Sequence, residues 1–145
     1  MSDWEPIYRK AVGDNEPALN FLLAFHRYCH EIDDFIDDGV RAPDKFIALL
    51  VHANVLYTLP FFALHARELS AAVATITRAY ADSLWLTASE EAWKRQMGDT
   101  LRFAGNDMVR LVAQILGGYD RAREVSGNLI LVAHEHHHDE QGNPI

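Results

Sequence analysis

With 145 residues, 49% of them hydrophobic and 23% charged, the chain has the size and make-up of one globular domain that can bury a core without disulfides or a structural metal. Its single cysteine, Cys29, excludes an intramolecular disulfide framework, and a formal charge of −8 argues against a nucleic-acid partner, which needs clustered Lys and Arg. The longest apolar stretch, residues 55–64, is interrupted by Thr58 and Pro60 and too short to cross a bilayer, and residues 1–10 lack the basic start and apolar run of a secretory signal, so no membrane insertion and a reducing, cytoplasmic setting are expected.

No internal repeat, low-complexity tract or linker divides the chain, and the pattern predicts a single all-α domain over residues 1–145. It is a helical bundle of five to six helices with polar tails at 1–14 and 138–145. The first helix is expected after Gly13-Asp14-Asn15, capped by Asp14 or Asn15 with Pro17 in its first turn, and runs to about Asp38 before Gly39. Ala18, Leu22, Phe25, Cys29, Ile32 and Ile36 form its apolar stripe. Pro43-Asp44 opens a second helix that meets Pro60, where a kink or break is expected before a resumption to about Arg67. A third covers residues 69–86. Thr87 or Ser89 caps a fourth whose first turn holds Glu90 and Glu91. Gly105 ends that helix or is absorbed in it, residues 106–116 are again amphipathic, Gly117-Gly118 marks a break, and residues 119–137 form the last helix.

The densest chemistry lies at the end of the first predicted helix. His26, His30, Asp33 and Asp37 follow one another at spacings of four, three and four, so they share one narrow stripe beside the apolar one. Glu31, Asp34 and Asp38 lie further toward solvent. These acids repel one another and stand where the helix dipole disfavours negative charge, a locally costly choice that a divalent cation or a basic partner relieves. Asp33 and Asp37, at i and i+4, suit Mg²⁺ or Mn²⁺ shared between carboxylate oxygens, with Asp34 and His30 as further candidate ligands and phosphate or water oxygens completing the shell.

The segment Phe25-His-Arg-Tyr-Cys-His-Glu-Ile-Asp-Asp-Phe-Ile-Asp-Asp38 resembles the first aspartate-rich helix of class I isoprenoid synthases, most closely the squalene and phytoene synthase branch. In that family an aromatic and Cys-containing turn leads into two Asp, two apolar residues and another Asp, here Asp33, Asp34 and Asp37. The resemblance implies that Asp33 and Asp37 hold Mg²⁺ bridging a substrate diphosphate. Asn106-Asp-Met-Val-Arg-Leu-Val-Ala-Gln114 is similar to the second metal motif of terpene synthases in Asn106 and Asp107. It departs from it where Arg110 replaces a hydroxyl residue and Gln114 an acid. Since a guanidinium cannot ligate a cation, Arg110, and with it Arg102, is expected to meet a phosphate instead. The chain is about half the family's length, so a reduced relative that completes its site as a homodimer is one expectation, and prenyl transfer itself is not expected.

Other readings stand beside this one. Glu31 and Asp34 have the i, i+3 spacing of small all-α nucleotide pyrophosphohydrolases, without a second such pair on the next helix. His26 and His30 can chelate Zn²⁺ or iron, yet His52 and His65 lack the paired ligands that metal-binding bundles place on other helices. His134 to Asp139 reads as a polar helix end, Trp4, Trp85 and Trp93 as core or interface residues, Arg78 and Asp82 as a surface ion pair, and Cys29 as a buried, inert thiol. A reading of a different class makes the chain a non-enzymatic accessory or inhibitory protein, of phage or mobile-element type, whose acidic helix docks on a basic partner surface.

Overall fold

The computed structural model describes residues 4–37 and 41–137, with side chains through residue 133. Among these residues the chain forms α1 (Glu5–Val12), α2 (Glu16–Asp37), α3 (Pro43–Leu56), α4 (Pro60–Leu64), α5 (Ala66–Thr87), α6 (Ala92–Leu101) and α7 (Asn106–His137), with no strand. The all-α expectation holds. The expected five to six helices fall short of the seven observed, and α1 is the main reason. Residues 5–12, expected within a polar tail, fold because Ile7, Tyr8, Ala11 and Val12 line one face of a short helix and pack on α7. Pro6 in the first turn and Arg9 and Lys10 in the last suit the ends of such a helix.

The start of α2 is as expected: the Asn15 side-chain oxygen accepts a part-buried hydrogen bond from the Ala18 amide at 2.9 Å, a side-chain cap of the helix. Pro60 breaks the chain outright, opening the five-residue α4 after α3 has ended at Leu56. Ser89 does accept a hydrogen bond from the Glu91 amide at 3.1 Å, but α6 begins only at Ala92, so Glu90 and Glu91 precede the helix rather than forming its first turn. Residues 102–105 are a turn between α6 and α7, and α7 is broken at Gly118, whose φ of 80° and ψ of −171° leave the helical region. The expected end at residue 137 matches α7, while Asp38 and the tail from 138 lie outside the described residues.

α2 sits at the centre, touching α1, α3, α4 and α7, while α5 packs on α6 and α7. Phe21, Leu22, Leu56, Phe61, Leu69, Met108, Val112, Val125 and Leu129 fill the core between them. Of the stripe expected on α2, Ala18, Leu22 and Phe25 are buried, and Cys29, Ile32 and Ile36 pack partly buried against the same core. The neighbouring polar stripe is thereby aimed at the gap between α1, α5 and the 102–105 turn. No helix among the described residues is long and apolar enough to cross a membrane.

Candidate functional site

A pocket of about 220 Å³ opens where the second half of α2 faces α1, α5 and the start of α7. Leu22, Phe25 and Val109 form its apolar floor. Its polar wall consists of Tyr8, His26, His30, Asp33, Tyr80, Arg102 and Asn106. The hydroxyl of Tyr8 and Nδ1 of His26 are hydrogen-bonded at 2.6 Å, and the His26 ring lies 5.8 Å from Trp4 and 5.4 Å from His30, so aromatic edges fix the two imidazoles in one row.

At the mouth, Arg102 gathers the two carboxylates that the helical spacing brings together. Its Nη2 donates to Asp33 Oδ1 at 2.7 Å and to Asp37 Oδ2 at 2.9 Å, and its Nε donates to Asp33 Oδ1 at 3.2 Å. One guanidinium nitrogen, Nη2, bridges the two acids, and Nε adds a second bond to Asp33. The Asp33 carboxyl is nonetheless held above its ordinary range, because burial outweighs the hydrogen bond and charge of Arg102, and the neighbouring Asp37 adds to the rise. On the Arg102 side burial pulls down, and the hydrogen bonds to Asp37 and Asp33 overcome it, so the guanidinium is more firmly protonated than usual. Burial pushes the Cys29 thiol up to about 12, although a hydrogen bond with Tyr80 works the other way, and the Tyr80 phenol rises for the same reason of burial. Cys29 is therefore the inert thiol its position in the stripe suggests. Its sulfur also lies against Gly105, where an added Cβ would stand 3.3 Å away, so Gly105 lets the 102–105 turn close over the pocket.

His30, Asp33, Arg102 and Asn106 thus share one pocket, with Asp37 at its edge. Asp107 and Arg110 do not join them. Arg110 donates to Asp107 and, at 3.0 Å, to Ser126, so its charge is spent along α7 and it lines a second, more apolar hollow with Leu101, Ala104 and Ile130. Arg110 therefore stands apart from the pocket that holds Arg102, paired with Asp107 on its own helix. Asp34 is exposed and Glu31 points away toward α3, where its Oε1 meets Nδ1 of His52 at 2.5 Å, so the Glu31 and Asp34 pair does not converge on the pocket. The mutual repulsion expected between Asp33 and Asp37 is relieved inside the molecule by Arg102, while Glu31 keeps one buried carboxylate oxygen without a hydrogen-bond partner.

No group of three or more potential metal-ligating side chains occurs among the described residues, and the His26 and His30 pair gains no third ligand from another helix. His65 packs against Phe61 with tilted rings, their centroids 4.7 Å apart. Trp85 and Trp93 are exposed, whereas Trp4 and Tyr8 line the pocket, and the ion pair of Arg78 with Asp82 is present at 3.3 Å on the surface. Tyr8, Tyr80 and Phe103 escape a sequence reading, and Trp4, read as a core or interface residue, lines the pocket: Tyr8 falls in the segment expected to be a tail, and Tyr80 reads as one more apolar position. The usable signal was the hydroxyl of a helix-buried Tyr, which needs a polar partner. Comparison of the chain with protein-family models, with curated proteins and with solved structures finds no match in any of the three.

Proposed function

We propose that the pocket binds a small phosphorylated ligand of diphosphate type together with Mg²⁺ or Mn²⁺. The observation that carries this reading is the Arg102 fork across Asp33 and Asp37 at the mouth of a cavity walled by His26, His30 and Asn106. A cavity of about 220 Å³ lies below the roughly 300–1,000 Å³ of drug-sized sites, which suits a head group. Two carboxylates are too few for a resident ion, but they fit a hard cation that keeps water and phosphate oxygens as its other ligands. Asp33 and Asp37 would hold that ion, which supplies neutralisation of the diphosphate charge and polarisation of a P–O or C–O bond. Arg102 is then released to the phosphate, for which its guanidinium is as well shaped as for a carboxylate. His30, exposed at the rim, and Asn106 offer further donors, and Tyr8 holds His26 in place behind them.

Thermal unfolding with Mg²⁺ alone, pyrophosphate alone and both together tests the reading. With ligand near 100-fold over its Kd, linkage gives about 2.7 kcal/mol, a rise of about 5–10 °C for a chain of this length. The expected rise needs both components and disappears in Asp33→Ala, Asp37→Ala and Arg102→Met. Equal melting temperatures with and without the pair would exclude it.

A further inference from the structure

We infer that a second hollow, beside the 102–105 turn, binds a free amino acid with a large apolar side chain, its ammonium held by Asp107 and its carboxylate by Arg110. The hollow exists because α7 is folded in two. Arg110 and Ser126 are 16 residues apart, a span of about 24 Å along a continuous helix, yet Arg110 Nε donates to Ser126 Oγ at 3.0 Å. The break at Gly118 thus brings the second half of α7 back beside the first and sets Ile130 and Ala133 across from Leu101 and Ala104. About 470 Å³ lies between them, against about 220 Å³ for the first pocket, and within the roughly 300–1,000 Å³ of small-molecule sites. An apolar hollow with a few polar groups gathered at its edge is the usual form of such a site.

The polar edge selects the ligand, because it carries one charge of each sign. Arg110 meets Asp107 Oδ1 through Nη1 and Ser126 through Nε, which leaves Nη2 and Asp107 Oδ2 without a hydrogen bond among the described residues. Both side chains reach water, Asp107 65% and Arg110 32% exposed, so neither has to be uncovered to meet a ligand. A lone carboxylate here gains from Arg110 and loses to Asp107, and a lone ammonium does the reverse. A zwitterion places an opposite charge at each. The single carbon between its ammonium and carboxylate suits two side chains at i and i+3, about 5–6 Å apart at Cβ. Its side chain then enters the hollow against Phe103 and covers Ile130, which is 60% exposed. Alanine or glycine would leave most of that space unfilled, whereas a Phe or Trp side chain brings about 150–250 Å² of surface to bury.

Two-dimensional amide NMR of the full chain titrated with L-phenylalanine tests this. Saturable shifts centred on Leu101, Ala104, Asp107 and Ile130 are expected, with a Kd on the order of 1 mM for a ligand of about a dozen heavy atoms. Hydrocinnamate and phenethylamine, which keep the ring and one charge each, should bind about 5–10-fold more weakly. Asp107→Asn should weaken L-phenylalanine and strengthen hydrocinnamate, opposite changes that a damaged fold cannot produce. Ile130→Glu, at a position exposed in the free protein, should abolish both with the circular dichroism unchanged. No saturable shift up to about 20 mM ligand overturns the inference, as do hydrocinnamate binding as tightly as L-phenylalanine and shifts centred instead on His30 and Arg102. Each readout is independent of metal or diphosphate in the first pocket.

Discussion

Arg102 decides the character of the site more than any aspartate does. Its side chain is 18% exposed and Asp33 36%, while Asp37 is 59% exposed, so the link to Asp33 carries most of the energy and water screens the link to Asp37. Arg102→Ala should cost about 2 kcal/mol at pH 7, the scale of hydrogen bonds to a charged group in a half-buried setting. The sign of its pH dependence follows from the partner. Near pH 3.5 Asp33, held above its ordinary range, is protonated and has less use for a cation, so the penalty should shrink there. Urea midpoints of wild type and variant at the two pH values measure this, and an equal loss at both would mean that Arg102 acts through packing alone. The convergence of Asp33 and Asp37 was legible in the sequence because a four-residue step on one helix fixes it. Their partner was not, for Arg102 lies 69 positions from Asp33 and no local rule brings the 102–105 turn to the end of α2.

At the scale of elements, legibility followed punctuation. Asn15, Pro43 and Pro60 act within one turn of their own backbone, and the ends of α2, α3 and α4 lie where those residues put them. α1 was missed because eight residues bearing Glu5, Arg9 and Lys10 look polar until α7 is there to cover Ile7, Tyr8 and Val12, a tertiary effect that outweighs composition. The break in α7 tests the same logic. Gly118 takes a positive φ with extended ψ, a region essentially closed to residues with a Cβ, so Gly118→Ala should cost about 1–3 kcal/mol although nothing stands within 4 Å of the added atom. Gly127 sits exposed in the second half of α7, also with nothing within 4 Å, and there Gly127→Ala should add about 0.5–1 kcal/mol by helix propensity. Thermal or urea denaturation of the two variants should therefore move in opposite directions. Two losses of similar size would mean that α7 tolerates no added Cβ for reasons other than backbone conformation.

For the whole molecule, the polar groups closed into the bundle set the pH range in which it stays folded. Burial is the largest cause that raises Cys29 to about 12, and burial likewise lifts the phenols of Tyr8, Tyr28 and Tyr80 above their ordinary value. The Tyr8 hydroxyl is hydrogen-bonded to His26 and the Tyr28 hydroxyl to Thr77 at 2.7 Å, and the contact with Cys29 adds to the rise of Tyr80, so these phenols sit between packed helices. A folded-state pKa above the unfolded one means that the protonated form is favoured by folding. The stability these groups contribute is complete below pH 9 for the thiol and below pH 10 for the phenols, and it is lost as pH rises through the folded values. Each titrating group steepens the loss by as much as about 1.4 kcal/mol per pH unit, and every new negative charge adds repulsion to a chain already at −8. The melting temperature should accordingly fall steeply above pH 9, and once the exposed Tyr57 and Tyr119 are replaced by Phe, phenolate absorbance should appear in step with loss of helix rather than before it. Tyr80→Phe and Cys29→Ser each remove one such group and should flatten the fall, since fewer protons then leave on unfolding. Unchanged slopes in both variants, or phenolate absorbance complete while the helices persist, would show that these side chains titrate within the folded bundle.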